Sequence, residues 1–168
     1  PTETLIVVTA DHETGGLALG NSDYTTRFGE LASQQCSQAA LSSIILKEIN
    51  AKKKKFSVSD MKRILRENLG FYDTFKLSAS QEKALEEAYR KTMAGKAGKV
   101  KNEYYDDELI ASTAIGIVNR NSKVGWTTGA HSSAAVPVFS IGIGSELLRG
   151  VMQNNEISQR IAKIADYR

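Results

Sequence analysis

The stretch Leu5-Ile6-Val7-Val8-Thr9-Ala10-Asp11-His12-Glu13-Thr14-Gly15-Gly16 changes character halfway along. Its first five residues are aliphatic or β-branched with no polar alternation, the pattern of a strand buried on both faces as in a parallel sheet. Polar residues follow, then paired glycines, which allow backbone turns that side chains forbid. Open α/β sheets bind ligands beyond the carboxyl ends of their strands. Asp11 and His12 occupy that position, and a carboxylate oxygen with an imidazole nitrogen is an ordinary pair of zinc ligands. For an Asp-His pair taken alone, a turn cap with an exposed imidazole is the commoner role.

Downstream the period becomes helical. Leu41, Ile44, Ile45, Glu48 and Ile49 predict a helix over about residues 30–50. Ser57 with Asp60, and Ser78 with Gln81, are capping-box pairs that open two further helices. Met61, Ile64, Leu65 and Leu69 mark the core face of the first, which ends at Gly70; Leu85, Ala88 and Tyr89 mark that of the second. Gly95, Gly98 and their lysines predict a loop before a fourth helix carried by Leu109, Ile110, Thr113, Ala114 and Ile117. After a Thr, Gly and Ser-rich segment, Val136, Val138, Phe139 and Ile141 give a second strand. Pro137 belongs at its start or on an edge, because it lacks an amide donor. A last helix is predicted over about 156–166, with Ile157, Ile161 and Ile164 inward and Asn154 or Asn155 as its cap.

Two strands do not make an independent sheet, since stable sheets usually need three or more. The chain is therefore expected to be the C-terminal part of a larger α/β domain, with the missing strands beside residues 5–9. A start at Pro1, with no initiator methionine or leader, suits a mature or trimmed piece. A closed sheet of five or more strands within the chain would contradict this expectation.

The 168 residues, 41% hydrophobic and 24% charged, suit one globular domain and exclude disorder and low complexity. No run approaches the roughly 20 apolar residues of a membrane helix. Cys36 is the single cysteine, so an intrachain disulfide and a four-cysteine zinc site are excluded, and a small core or helix-face residue is its simplest role. The net charge of +3 is unevenly spread: from Lys47 to Lys101 there are 15 Lys or Arg against 7 Asp or Glu, and elsewhere 7 against 12. Basicity thus belongs to the helical segment at about 51–105. Its four lysines at 52–55 can neutralise phosphates, but cations also suit the negative end of a helix. No aromatics interleave with them as in single-strand binders, so no nucleic-acid partner is expected. A basic helical interaction module is the non-enzymatic alternative, and it predicts binding that weakens steeply with salt.

His131, the only other histidine, lies 119 positions after His12 among Thr127, Thr128, Gly129 and Ser132, which by themselves make a polar turn. Spacing cannot join the two rings. However, Thr9-Ala10-Asp11-His12-Glu13-Thr14-Gly15-Gly16 resembles the signature that follows a central strand in alkaline phosphatases. Trp126-Thr127-Thr128-Gly129-Ala130-His131, followed by Val136-Pro137-Val138-Phe139, is similar to that family's C-terminal zinc-ligand block, in the same order. The helices between match a bacterial branch of the family in general layout.

The resemblance implies an α/β fold, part of a three-layer α/β/α sandwich, in which residues 1–168 are the C-terminal portion with a basic helical insertion at about 51–105. It implies a phosphomonoesterase with two catalytic zinc ions, a nearby magnesium and a phosphorylated serine intermediate. Asp11 and His12 match ligands of the zinc that activates the serine, and His131 a ligand of the other zinc. Glu13, Thr14 and Thr128 would hydrogen-bond around these ligands, and Trp126 would pack beside the second loop.

Each zinc wants about three protein ligands, whereas these motifs supply two for one ion and one for the other. The nucleophilic serine, a phosphate-binding arginine, the magnesium ligands and the remaining zinc ligands are expected upstream of Pro1. Ser132 and Ser133 receive no catalytic role, and the chain alone is expected to be inactive. Implied partners are phosphate monoesters, the N-terminal remainder of the polypeptide and, through an exposed sheet edge, a second copy. Family habit implies a periplasmic, extracellular or cell-surface location. The chain departs from the family pattern at Ser132-Ser133, usually Thr-Gly, and at Ile143, often Pro between the two glycines. Metal-dependent phosphoglycerate mutases and phosphopentomutases, with a similar Thr-Ala-Asp-His string, are the enzymatic alternative. Glu13-Thr14-Gly15-Gly16 and Trp126-Thr127-Thr128-Gly129 favour the phosphatase.

Overall fold

The computed structural model describes residues 3–20, 24–96, 100–101 and 106–167. In chain order the elements are β1 (Leu5–Val8), β2 (Leu17–Leu19), α1 (Gln38–Lys52), α2 (Val58–Leu69), α3 (Ala79–Met93), β3 (Val100–Lys101), β4 (Asp106–Asp107), α4 (Leu109–Ser122), β5 (Val124–Trp126), β6 (Phe139–Gly142) and α5 (Asn154–Ile164). Short 3-10 turns occupy Phe28–Ser33, Lys53–Lys55 and Ser145–Leu148. The fold is mixed α/β and divides into two compact units: Pro1–Gly16 with His131–Arg168, and Leu17–Ala130. The latter contains the described part of the basic segment and is wider than it; Gly98, in the predicted loop, lies outside the described residues.

In the helical unit, local chemistry sets the helix starts. The Ser57 hydroxyl accepts from Asp60 N at 3.2 Å while the Asp60 carboxylate accepts from Ser57 N at 2.9 Å, so each satisfies an amide that the first turn of α2 leaves unpaired. Ser78 and Gln81 do the same for α3. The four apolar residues spaced along α2, Met61, Ile64, Leu65 and Leu69, are all buried. The first helix starts later than its predicted residue 30. Ser37 caps α1 by accepting from Ala40 N at 3.2 Å, behind a 3-10 turn and an extended Gln34. The apolar period itself begins only at Leu41.

α4 packs against both α1 and α3, with Ile110, Ala111, Ala114 and Ile117 fully buried. At its N-terminus the buried Glu108 carboxylate accepts from Ala111 N at 2.9 Å and from the Thr92 hydroxyl at 2.7 Å. Asp107 beside it accepts from the Ser42 hydroxyl at 3.2 Å. Both buried carboxylates are thus accounted for as structural acceptors. Cys36 is partly buried against this core, and burial raises its thiol pKa.

Local carboxylates answer many of the basic segment's cations. Lys52 bonds to Asp60 and lies 3.6 Å from Glu48; Lys62 meets Glu82 at 3.0 Å, Arg63 meets Glu67 at 3.0 Å and Arg66 meets Asp73 at 3.2 Å. The exposed ones among these pairs add little stability, but all of them weaken the field that a polyanion would meet. Two ribbons complete the unit: β2 with β5, in register Leu17↔Trp126, and β3 with β4. Trp126, expected to be a packing residue, is 48% exposed at the end of β5.

The other unit corrects the expected strand direction. β1 pairs with β6 antiparallel, in register Ile6↔Ile141 and Val8↔Phe139. The run at 5–8 imitates a doubly covered parallel strand because both its faces are apolar, yet the described residues cover only one. Leu5 and Val7 line a cleft of about 560 Å3 with Ile161 and Ile164 of α5. Ile6, Val8, Phe139 and Ile141 on the opposite face are 51 to 66% exposed. Among the described residues every sheet has two strands. Pro137 stands just ahead of β6, as its missing amide requires. α5 begins at Asn154 after an N-cap Gln153 whose side chain makes no capping bond, so neither expected asparagine occupies the cap position.

Candidate metal centre

The loop that follows β1 carries Asp11, His12 and Glu13, and the segment leading toward β6 carries His131 and Ser132. The structure brings the two histidines together: their ring centroids are 3.5 Å apart with 28° between planes.

Local bonds fix His12. Its Nδ1 lies 2.9 Å from the carbonyl oxygen of Glu13. A carbonyl only accepts, so in the neutral ring Nδ1 carries the proton and Nε2 keeps its lone pair. The His12 backbone amide donates to Asp11 Oδ1 at 3.0 Å, and Asp11 Oδ2 lies 3.4 Å from His12 Nε2. Two donors bound tetrahedrally to zinc at roughly 2.0–2.1 Å are about 3.3 Å apart, so this pair fits one ion. Among the described residues no three His, Cys, Asp or Glu side chains converge as a metal cluster. The donors therefore amount to a pair, Asp11 with His12, and a single, His131.

Glu13 organises the turn. Its carboxylate accepts from the Ser132 hydroxyl, from Gly15 N at 2.7 Å and from Gly16 N at 2.6 Å, and these bonds, the serine's first, hold its pKa down at about 2. The two glycines have φ of 120° and 67°, which only they adopt without steric cost. At the far end of the loop, Asn154 Nδ2 donates to the Asp11 carbonyl at 3.2 Å. Asp11, His12, Glu13, Ser132 and Asn154 all line a cavity of about 280 Å3.

Sequence reasoning misses Ser132 and Asn154 as members of this cavity. The position of Ser132 directly after a histidine is the one available signal, and the spacing of Asn154 marks only a helix start. Thr128, expected to bond near the ligands, accepts from Ala130 N at 3.2 Å within its own turn.

The alkaline phosphatase family model matches residues 1–167. Alkaline phosphatase 3 of Bacillus subtilis (strain 168) is 30% identical over 165 residues, which are 98% of this chain and 30% of that protein. Alkaline phosphatase 4 of the same organism is 30% identical over 161 residues, 96% of this chain and 29% of that protein. In fold, the chain superposes with a TM-score of 0.68 and 22% identity on the crystal structure of a cold-active alkaline phosphatase from a psychrophile, Shewanella sp., covering 99% of this chain and 35% of that one. The chain spans about 30% of the length of the curated relatives it matches. It belongs to the alkaline phosphatase family.

Proposed function

We propose that the chain forms part of a metal-dependent phosphomonoester hydrolase, an alkaline phosphatase, to which it contributes part of a two-zinc site. The observation that carries this reading is the stacking of His12 on His131 beside Asp11, in a chain that matches the family along nearly its whole length. Asp11 and His12 would hold one zinc and His131 the other. When bound, such ions supply positive charge to the entering and departing oxygens of an in-line displacement and lower the pKa of bound water. The chain's own residues orient the ligands. The Glu13 carbonyl holds the Nδ1 proton of His12, and Asn154 holds the Asp11 carbonyl.

The nucleophilic serine, the magnesium ligands and the remaining zinc ligands belong, in this reading, to the N-terminal remainder of a longer polypeptide. That remainder would cover the apolar face of Ile6, Val8, Phe139 and Ile141, completing a three-layer sandwich. Burial of such a face is the main drive for docking. Phosphate monoesters are the substrates and an exported location the setting.

Phosphate release from a generic aryl phosphate is the test. The parent polypeptide should hydrolyse it, and lose that activity on treatment with a chelator, while the 168-residue chain alone should release none. Mutase activity with negligible phosphate release would reverse the assignment in favour of a phosphomutase.

A further inference from the structure

We propose that the hydrogen bond between Glu13 and Ser132 is a clamp that sets the separation of the two imidazoles, which makes Ser132 a positioning residue of the metal centre. The inference rests on the metal-dependent reading above, but its geometry stands apart from it. Glu13 immediately follows His12, and Ser132 immediately follows His131. Their bond joins two loops 119 residues apart in sequence at the side chains adjoining both rings.

Glu13 is itself anchored, because the amides of Gly15 and Gly16 hold its carboxylate and leave it a fixed point. The same residue's carbonyl holds His12 Nδ1. One residue therefore fixes how the His12 ring faces and how far away the other loop sits. A bond to a carboxylate is roughly twice as strong as a neutral one, which suits an element that must hold two loops in register. Serine is replaceable here by threonine, which keeps the hydroxyl, and not by alanine.

Two measurements on the 168-residue chain separate the clamp from a merely structural bond. The first is proton cross-relaxation between the His12 and His131 rings by NMR, in the absence of metal. It should be present in the unsubstituted chain, abolished in Ser132→Ala, weakened in Glu13→Gln and restored in Ser132→Thr, with the thermal midpoint of Ser132→Ala checked for intact folding. The second is calorimetry with zinc chloride. Ser132→Ala should weaken zinc binding about 10–100-fold, the range for loss of a partner supporting a ligand, and Ser132→Thr should recover it.

Cross-relaxation that persists in Ser132→Ala, or is missing from the unsubstituted chain, overturns the clamp whatever the zinc result. Its disappearance in a folded Ser132→Ala supports the clamp even in a chain that binds no zinc. That last outcome, or zinc binding unaffected by His12→Ala, would count against the metal reading alone.

Discussion

Replacing His12 by alanine is expected to lower phosphate release by the parent polypeptide at least about a thousandfold, a loss of about 4 kcal/mol of transition-state stabilisation. The size follows from what the ring does. Nε2 is presented with its lone pair available, 3.4 Å from Asp11 Oδ2, by a bond from Nδ1 to the Glu13 carbonyl. Alanine removes one of the two donors that this chain would supply to that ion, and among the described residues no cluster of three or more His, Cys, Asp or Glu side chains stands by to hold a metal instead. Loss of a partner that only supports a ligand already costs roughly 10–100-fold in metal affinity or activity; loss of the ligand itself should cost more. Steady-state kinetics with zinc in excess would check this, and activity within about tenfold of the parent would remove His12 from the centre.

The second large effect concerns the helical unit. Phe71→Ala should destabilise it by about 3–5 kcal/mol. Phe71 is fully buried and packs against Phe75 with ring centroids 4.8 Å apart and the planes tilted by 33°. Its removal leaves a cavity among α2 and its neighbours, where Leu65, Leu69 and Leu85 are also inaccessible. Urea unfolding followed by circular dichroism should show a midpoint lower by about 2 M, taking a slope of about 2 kcal/mol per M for a domain of this size. A shift below about 0.5 M would mean that the site collapses around the smaller side chain and that Phe71 is no keystone of the core.

Helices were legible because their signals are local. Ser57 with Asp60, and Ser78 with Gln81, identified two starts from residues three apart, and the burial of Met61, Ile64, Leu65 and Leu69 follows the period of one turn. Strand partners were not legible, since pairing depends on residues far away. The run at 5–8 told of apolar faces but not that β6 would lie antiparallel to it. β2, β3, β4 and β5 are only two or three residues long and give no period at all.

The site was legible only by resemblance. No spacing rule joins His12 to His131 across 119 residues, yet the rings stack. Ser132 was hidden for a different reason: the sequence shows that a hydroxyl follows His131, but not that a carboxylate from another loop waits for it.

The convergence of His12 and His131 on a zinc centre is tested most directly by anomalous X-ray diffraction at the zinc edge from crystals of the parent polypeptide. One zinc should be bound by the Asp11 carboxylate and His12 Nε2 at about 2.0–2.2 Å. A second, ligated by His131, should lie about 3.5–4 Å from the first. Zinc ligated elsewhere, or the two rings on separate surfaces with no ion beside either, would contradict the proposed centre.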